Sequence, residues 1–550
     1  MVRLTFLITI LPYIVLPATA AAAPKAPKAP DTVVDLGYAK YQGTVLPAGT
    51  TEWLGMRYAA PPLGDLRFDS PQNPLREEGT IKADKHGPTC LATGGKPDNP
   101  KTSEDCLFID VYAPSKATSS SNLPVFFYIQ GGGFNSNSNA NYDGTGLILA
   151  SDMKMVVVNF NYRVGPYGFL AGKELRNRGS FNNGLKDQIK ALEWVQKYIK
   201  QFGGNPDHVV IGGNSAGAAS VSLLLTAYGG KNYDLFHGAY AGSPSFGSML
   251  TIDESQYMYD GLVKRTGCDK ESDTLKCLRK LETSTLQKHN IKMPRPGADK
   301  PPLFMYSVTI DKDLVQDYTY RLFHQGKFID VPMIVGSDLN EGTIFAPKAT
   351  KSLKECDAFL RTQYPALKPE HLEKIHSYFP KTDDKFPNSG PYWRQTSNAY
   401  GEMRYTCPAM SMAQSLSESG GFKKSWSYEY AVETPPAIAS GTGVGHTAEV
   451  PSIWGPLFVG GPKSYLKGGE NAPIVPIMQG YFASFIRSLN PNTHRAKGAP
   501  EWKSWSDKKD KGSGFRRLRV KTGDTKVEVI KGKKRERCEY LVGIGVDIKQ

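Results

Sequence analysis

The apolar positions of this chain follow two periods. Apolar runs at 208–212, 236–241, 331–335 and 426–432 read as strands, and those at 125–129 and 155–160 are short and continuous. Runs of this length without polar alternation read as strands buried on both faces. Between 182 and 202 the period lengthens. Leu185, Ile189, Leu192, Val195 and Ile199 line one face of an amphipathic helix, and Gly203-Gly204-Asn205-Pro206 stops it. Further helices are expected around 255–266, 312–325, 351–376 and 392–418. The segments 33–38, 43–46 and 53–58 read as antiparallel strands, and 107–112 alternates apolar with polar. Strands alternating with helices predict an α/β fold, a large and mostly parallel sheet with helices on both faces. Ligands of such sheets bind outside the carboxyl ends of the strands.

The first residues break this pattern. Residues 1–23 combine a basic start at Arg3, an apolar run from Leu4 to Leu16, and Ala18-Thr19-Ala20 before further alanines. This reads as a secretory signal peptide, too short to span a bilayer. Residues 24–32 are a stiff Pro/Ala/Lys leader without core positions. Residues 33–550 read as one domain with insertions, because no linker or repeat divides them. No later run approaches 18 apolar residues, so no stable membrane anchor is expected. With 40% hydrophobic and 22% charged residues the composition is ordinary globular.

At three strand ends the chain carries suggestive chemistry. Gly213-Asn214-Ser215-Ala216-Gly217 lies between an apolar run and the small-residue, helix-competent run 218–225. A bare Gly-x-Ser-x-Gly is expected by chance roughly 0.3–0.5 times in such a chain, so the five letters alone decide nothing. Strand, sharp turn and helix are what make it a nucleophile elbow. Serine needs a base, and histidine titrates near working pH. Of nine histidines, His446 alone ends a glycine-rich loop, 441–446, just beyond a late strand. The acid that orients such a base follows the strand at 331–335, where both Asp338 and Glu341 stand. Position leaves the two open. Gln130-Gly131-Gly132-Gly133-Phe134 follows the strand 125–129. Its glycines let backbone N–H groups converge on one oxyanion, joined by the N–H of Ala216. The order serine, acid, histidine is that of α/β-hydrolases.

Export changes the reading of the seven cysteines. In an oxidising compartment Cys90 pairs with Cys106 and Cys268 with Cys277. Cys356, Cys407 and Cys538 leave at least one unpaired. No spacing suggests a metal site, and the chemistry needs no cofactor. The net charge of +14 gathers near the C-terminus among acidic residues, without an aromatic platform. It reads as a solvated face and not as a nucleic-acid site. The oligomeric state is not legible.

Together these segments resemble the type-B carboxylesterase/lipase family, which includes cholinesterases and secreted fungal esterases, over nearly the whole mature chain. Glu104-Asp105-Cys106-Leu107-Phe108-Ile109-Asp110-Val111-Tyr112, and Asn183 to Gln188 through Phe202 to Pro206, carry the likeness beside the elbow. The resemblance implies Glu341 as the acid, His446 as the base with Glu449 following it, and Gly132, Gly133 and Ala216 as oxyanion donors. It implies a Cys407–Cys538 bridge, leaving Cys356 free. It implies a secreted hydrolase of small carboxylic esters acting through an acyl-enzyme. A triacylglycerol lipase or sterol esterase is the alternative, and a non-catalytic binding protein a remote one. The 90–106 loop is shorter than the lid of the family's lipases and contains no aromatic residue. That argues against a lipid interface and against a cation site. Asn214 and Gln130 depart from the common pattern. The lost carboxylate at 214 suggests tolerance of anionic esters.

Overall fold

The computed structural model describes residues 32–550 except 139, 177, 420–423 and 507–513. The signal peptide read at 1–23 and all but the last residue of the leader lie outside the described residues. Thr32–Gln550 form one compact unit.

Eleven strands build the main sheet, numbered here along the chain: β1 (Thr44–Val45), β2 (Thr50–Arg57), β3 (Phe108–Pro114), β4 (Leu123–Ile129), β5 (Val156–Phe160), β6 (Gly204–Asn214), β7 (Gly238–Gly242), β8 (Met333–Asp338), β9 (Ser425–Tyr430), β10 (Arg516–Val520) and β11 (Lys526–Val529). Their spatial order is β11-β10-β9-β8-β7-β6-β4-β5-β3-β2-β1. From β5 to β10 every neighbouring pair is parallel, and antiparallel pairs close both edges. The apolar runs are continuous because each face meets its own core. Val125, Phe127 and Ile129 of β4 point into one core, and Phe126 and Tyr128 into the other. Two layers of helices on one sheet is the α/β-hydrolase architecture.

The helix at Asn183–Tyr198 buries Leu185, Leu192 and Val195, with Ile189 partly covered. Other helices are shorter than the pattern suggested, for identifiable reasons. Only Thr319–His324 of the segment 312–325 is helical. Upstream, Asp311 Oδ1 accepts from the N–H groups of Asp313 and Val315 and holds a turn instead. The segment 351–376 divides into Leu353–Gln363 and Pro369–Tyr378. Pro365 and Pro369 lack the N–H a continuous helix needs. The segment 392–418 is interrupted by a π turn, Glu402–Thr406, just before Pro408.

The quoted motifs also serve as braces. Glu104 forms a bidentate pair with Arg67 at 2.5 and 2.6 Å, both buried, and Asp105 one with Arg57 at 2.8 Å. Asp187 holds Arg163 at 2.7 and 2.8 Å. Much of the basic C-terminal charge is paired: Arg517 and Lys534 both reach Glu429, and Arg537 reaches Glu402. Disulfides join Cys90–Cys106, Cys268–Cys277 and Cys407–Cys538, while Cys356 is free and buried.

Candidate active site

The elbow is built at the end of β6. Ser215 has φ 61° and ψ −123°, a conformation L-residues avoid and that persists where surroundings enforce it. The flanking glycines themselves do not take positive φ. They are there for close approach. A Cβ on Gly217 would stand 2.0 Å from the carbonyl oxygen of Ile129, and one on Gly213 2.6 Å from the same atom. The helix Ala216–Leu225 starts immediately and is buried throughout. The Ser215 N–H donates to Gly242 O at the end of β7 (2.9 Å). The next residue, Ser243, donates its hydroxyl to Glu341 Oε1 (2.6 Å). Two adjacent residues thus tie the elbow to the acid.

Both acids from the strand end are buried, and geometry separates them. Glu341 Oε2 contacts His446 Nδ1 at 2.5 Å, and its other oxygen accepts from the Asp338 N–H at 2.7 Å. Rings of Tyr405 and Phe345 pack on the imidazole at 4.3 and 5.1 Å. His446 Nε2 is buried without a hydrogen-bond partner among the described residues. Its proton-accepting edge therefore remains free for a hydroxyl.

Asp338 takes a different path. Its Oδ2 accepts from the Thr447 N–H at 2.7 Å. Its Oδ1 and Glu449 Oε2 are buried with no donor among the described residues, and the two carboxyls are hydrogen-bonding neighbours. Burial, then the charges of Glu449 and Glu341, push Asp338 well above the usual carboxylate range, and burial also raises Glu449. One proton shared between the two carboxyls satisfies both orphan oxygens. Asn214 belongs to this buried group. Its amide donates to Glu449 Oε1 (2.7 Å) and Tyr240 Oη (3.0 Å), and its oxygen accepts from Tyr128 (3.3 Å). Asn214 thus adjoins Ser215 in the chain but is held in this buried group. Side chains alternate along a strand, so the residue before Ser215 points beneath the sheet's end.

The glycine loop after β4 carries the other half of the site. Gly132 and Gly133 have φ of 117° and 64°. A Cβ at Gly132 would meet Ser136 O at 2.0 Å, and one at Gly133 the Phe304 ring at 2.0 Å. Among the described residues, the N–H groups of Gly132, Gly133 and Ala216 have no acceptor in the protein. Two side chains that the motif reading did not single out for this task anchor the loop. Asn135 donates to Gly133 O (2.6 Å) and Tyr306 O (2.7 Å). Gln130 donates to Phe160 O and Asn161 Oδ1, both at 2.9 Å. Only the polar character of residues 130 and 135 beside a buried strand hinted at this.

A strained serine on a strand–turn–helix elbow and an acid–imidazole pair at the next strand ends define the class: a serine hydrolase of the α/β-hydrolase fold. Comparison with known proteins narrows it. The sequence profile of the carboxylesterase family matches residues 30–540. The crystal structure of Aspergillus niger EstA superposes with a TM-score of 0.90 at 42% identity, covering 94% of this chain and 99% of EstA. Secreted lipase 4 of Gibberella zeae is 31% identical over 517 residues, 90% of each chain. Carboxylesterase 1D of Rattus norvegicus is 30% identical over 512 residues, 86% of each chain. The chain belongs to the carboxylesterase family and is a carboxylic-ester hydrolase. Among the described residues no helix is long and apolar enough to cross a membrane.

Proposed function

We propose that Ser215, His446 and Glu341 are the catalytic residues and that the reaction proceeds through an acyl-enzyme. His446 Nε2 takes the Ser215 proton as Oγ attacks the ester carbonyl. The N–H groups of Gly132, Gly133 and Ala216 stabilise the oxyanion. His446 returns the proton to the leaving alcohol, and water then repeats the sequence on the acyl-enzyme. Glu341 fixes the imidazole tautomer and stabilises the imidazolium. The steps as written use no metal or organic cofactor. The observation carrying this reading is the 2.5 Å His446–Glu341 contact, supported by a buried Nε2 without a partner among the described residues and by the strained backbone of Ser215.

The substrates are esters in solution and not emulsified lipid. None of the exposed large hydrophobic residues lies between Cys90 and Cys106, so that short loop offers no apolar face for a lipid surface. The protein is exported, in keeping with its N-terminal sequence, its three disulfides and its relatives named as secreted. A fluorophosphonate probe followed by peptide mapping tests the assignment, with labelling expected at Ser215. Rates on one short-chain ester below and above its solubility limit test the substrate class. Saturation across that limit is expected, and a jump in rate on the emulsion would make the protein a lipase.

A further inference from the structure

The densest unexplained chemistry lies against the oxyanion loop. Arg404, in the π turn, is 7% exposed, and its Nε donates to Ser245 Oγ at 2.9 Å. The Ser245 N–H in turn reaches Ser215 O at 3.4 Å. The guanidinium sits over the Phe304 ring at 5.1 Å, and Phe304 is the ring that covers Gly133. A Cβ on Gly247 would come within 2.9 Å of both its Nη atoms. A buried positive charge therefore adjoins both the elbow and the loop that holds the oxyanion.

Arg404 is not alone. Arg295 lies beside it, and burial together with that like charge depresses the Arg295 pKa, while Tyr257 opposes the shift. Arg265 lies beside Tyr306, whose backbone N–H and carbonyl are both held by Asn135 of the oxyanion loop. Arg295 Nε and Nη1 and Arg265 Nη2 are buried without a close hydrogen bond among the described residues, and the hydroxyls that adjoin these arginines are those of Tyr257 and Tyr306. Buried arginines elsewhere are treated differently: Arg67, Arg163 and Arg517 each hold a carboxylate. None of Arg265, Arg295 and Arg404 does so among the described residues. An unmet buried donor is destabilising, more so when charged. A group of guanidinium donors from separate segments, with tyrosine hydroxyls but no carboxylate among them, is the complement of an anion's oxygens.

We propose that this cluster is an anion subsite, and that the enzyme prefers esters whose acid part carries a second, free carboxylate. The placement follows from the oxyanion loop. Phe304, under the Arg404 guanidinium, covers Gly133, and Asn135 of the same loop holds Tyr306, so the cluster is joined to the loop that grips the acyl carbonyl. The inference rests on the reading of Ser215 as nucleophile.

The test compares kcat/KM of the full-length protein on ethyl hydrogen adipate and ethyl hexanoate, which differ only in the terminal carboxylate. A preference of about tenfold or more for the anion is expected, the yield of one charge-assisted contact. The ratio should fall toward one in Arg295→Met and in Arg404→Lys. Should either variant fail to fold, inhibition of wild-type ethyl hexanoate turnover supplies the same information: adipate should compete and 1,6-hexanediol should not. A wild-type ratio at or below one overturns the proposal. A preference for 6-acetoxyhexanoate over hexyl acetate, with none for the adipate ester, also overturns it by moving the charge to the alcohol. The nucleophile is judged separately, because a Ser215→Ala protein that still turns over ethyl hexanoate defeats that reading whatever the ratio.

Discussion

Replacing Asp338 by Asn should make the protein more resistant to alkaline pH. In the folded state Asp338 Oδ1 and Glu449 Oε2 are buried without another donor among the described residues, so one shared proton satisfies both, and the Asp338 pKa is raised by burial and then by the charges of Glu449 and Glu341. In the unfolded chain Asp titrates near ~3.9. The folded value being the higher, the associated stability is complete below the unfolded pKa and is lost as pH rises through the folded one. Between those two values the native state holds one proton more than the unfolded state. Stability then falls by about 1.4 kcal/mol per pH unit. Asn is the neutral isostere. Its oxygen can accept from the Thr447 N–H as Asp338 Oδ2 does at 2.7 Å, and its NH2 can donate to Glu449 Oε2. For a domain of roughly 500 residues, with an unfolding entropy of about 1 kcal/mol per kelvin, the gain is about 1 °C in Tm per pH unit. Thermal unfolding of both proteins at pH 5, 6, 7 and 8 reads it directly. The Tm difference should grow with pH in favour of Asp338→Asn. A constant difference, or one that shrinks, would refute the shared proton.

The other predictions concern the architecture and the acid. Gly217→Ala places a Cβ 2.0 Å from Ile129 O, and because backbone cannot yield as a side chain does, it should cost about 3 kcal/mol or more and most of the activity, read by denaturant unfolding and ester hydrolysis. Glu341→Gln must set an NH2 against either His446 or the two donors at Oε1, so kcat/KM should fall about 10³–10⁴-fold on any ester. Replacing Cys407 and Cys538 together by Ser opens a loop of 131 residues and should lower stability by about 5 kcal/mol in the chain-entropy model, measured by guanidinium unfolding.

The sequence carried the scaffold and the reacting groups because both are written locally. Strands of a parallel sheet covered on both faces favour continuous apolar runs, so β4 and β5 stand out. An elbow needs glycines where backbones nearly touch, and Gly213 and Gly217 supply them. What stayed hidden depends on direction and distance. Asp338 and Glu341 follow the same strand, yet one carboxyl turns toward Glu449 and the other toward His446. Nothing in the order of letters encodes that. Asn214 looked like part of the site because it adjoins Ser215, and strand alternation sends it the other way. Arg265, Arg295 and Arg404 lie in three separate segments and meet only in the folded chain. The helix expected over 312–325 failed for a local reason, since Asp311 offers the backbone a competing acceptor.

The most direct measurement is turnover of a p-nitrophenyl ester by purified Ser215→Ala. The substitution removes one oxygen from a residue 8% exposed, so the unfolding midpoint should match that of the wild type. The mechanism predicts a loss of at least about 10⁴-fold in kcat, because serine and histidine act as a unit. Near-wild-type hydrolysis by the folded variant would contradict the assignment of Ser215 and the mechanism built on it.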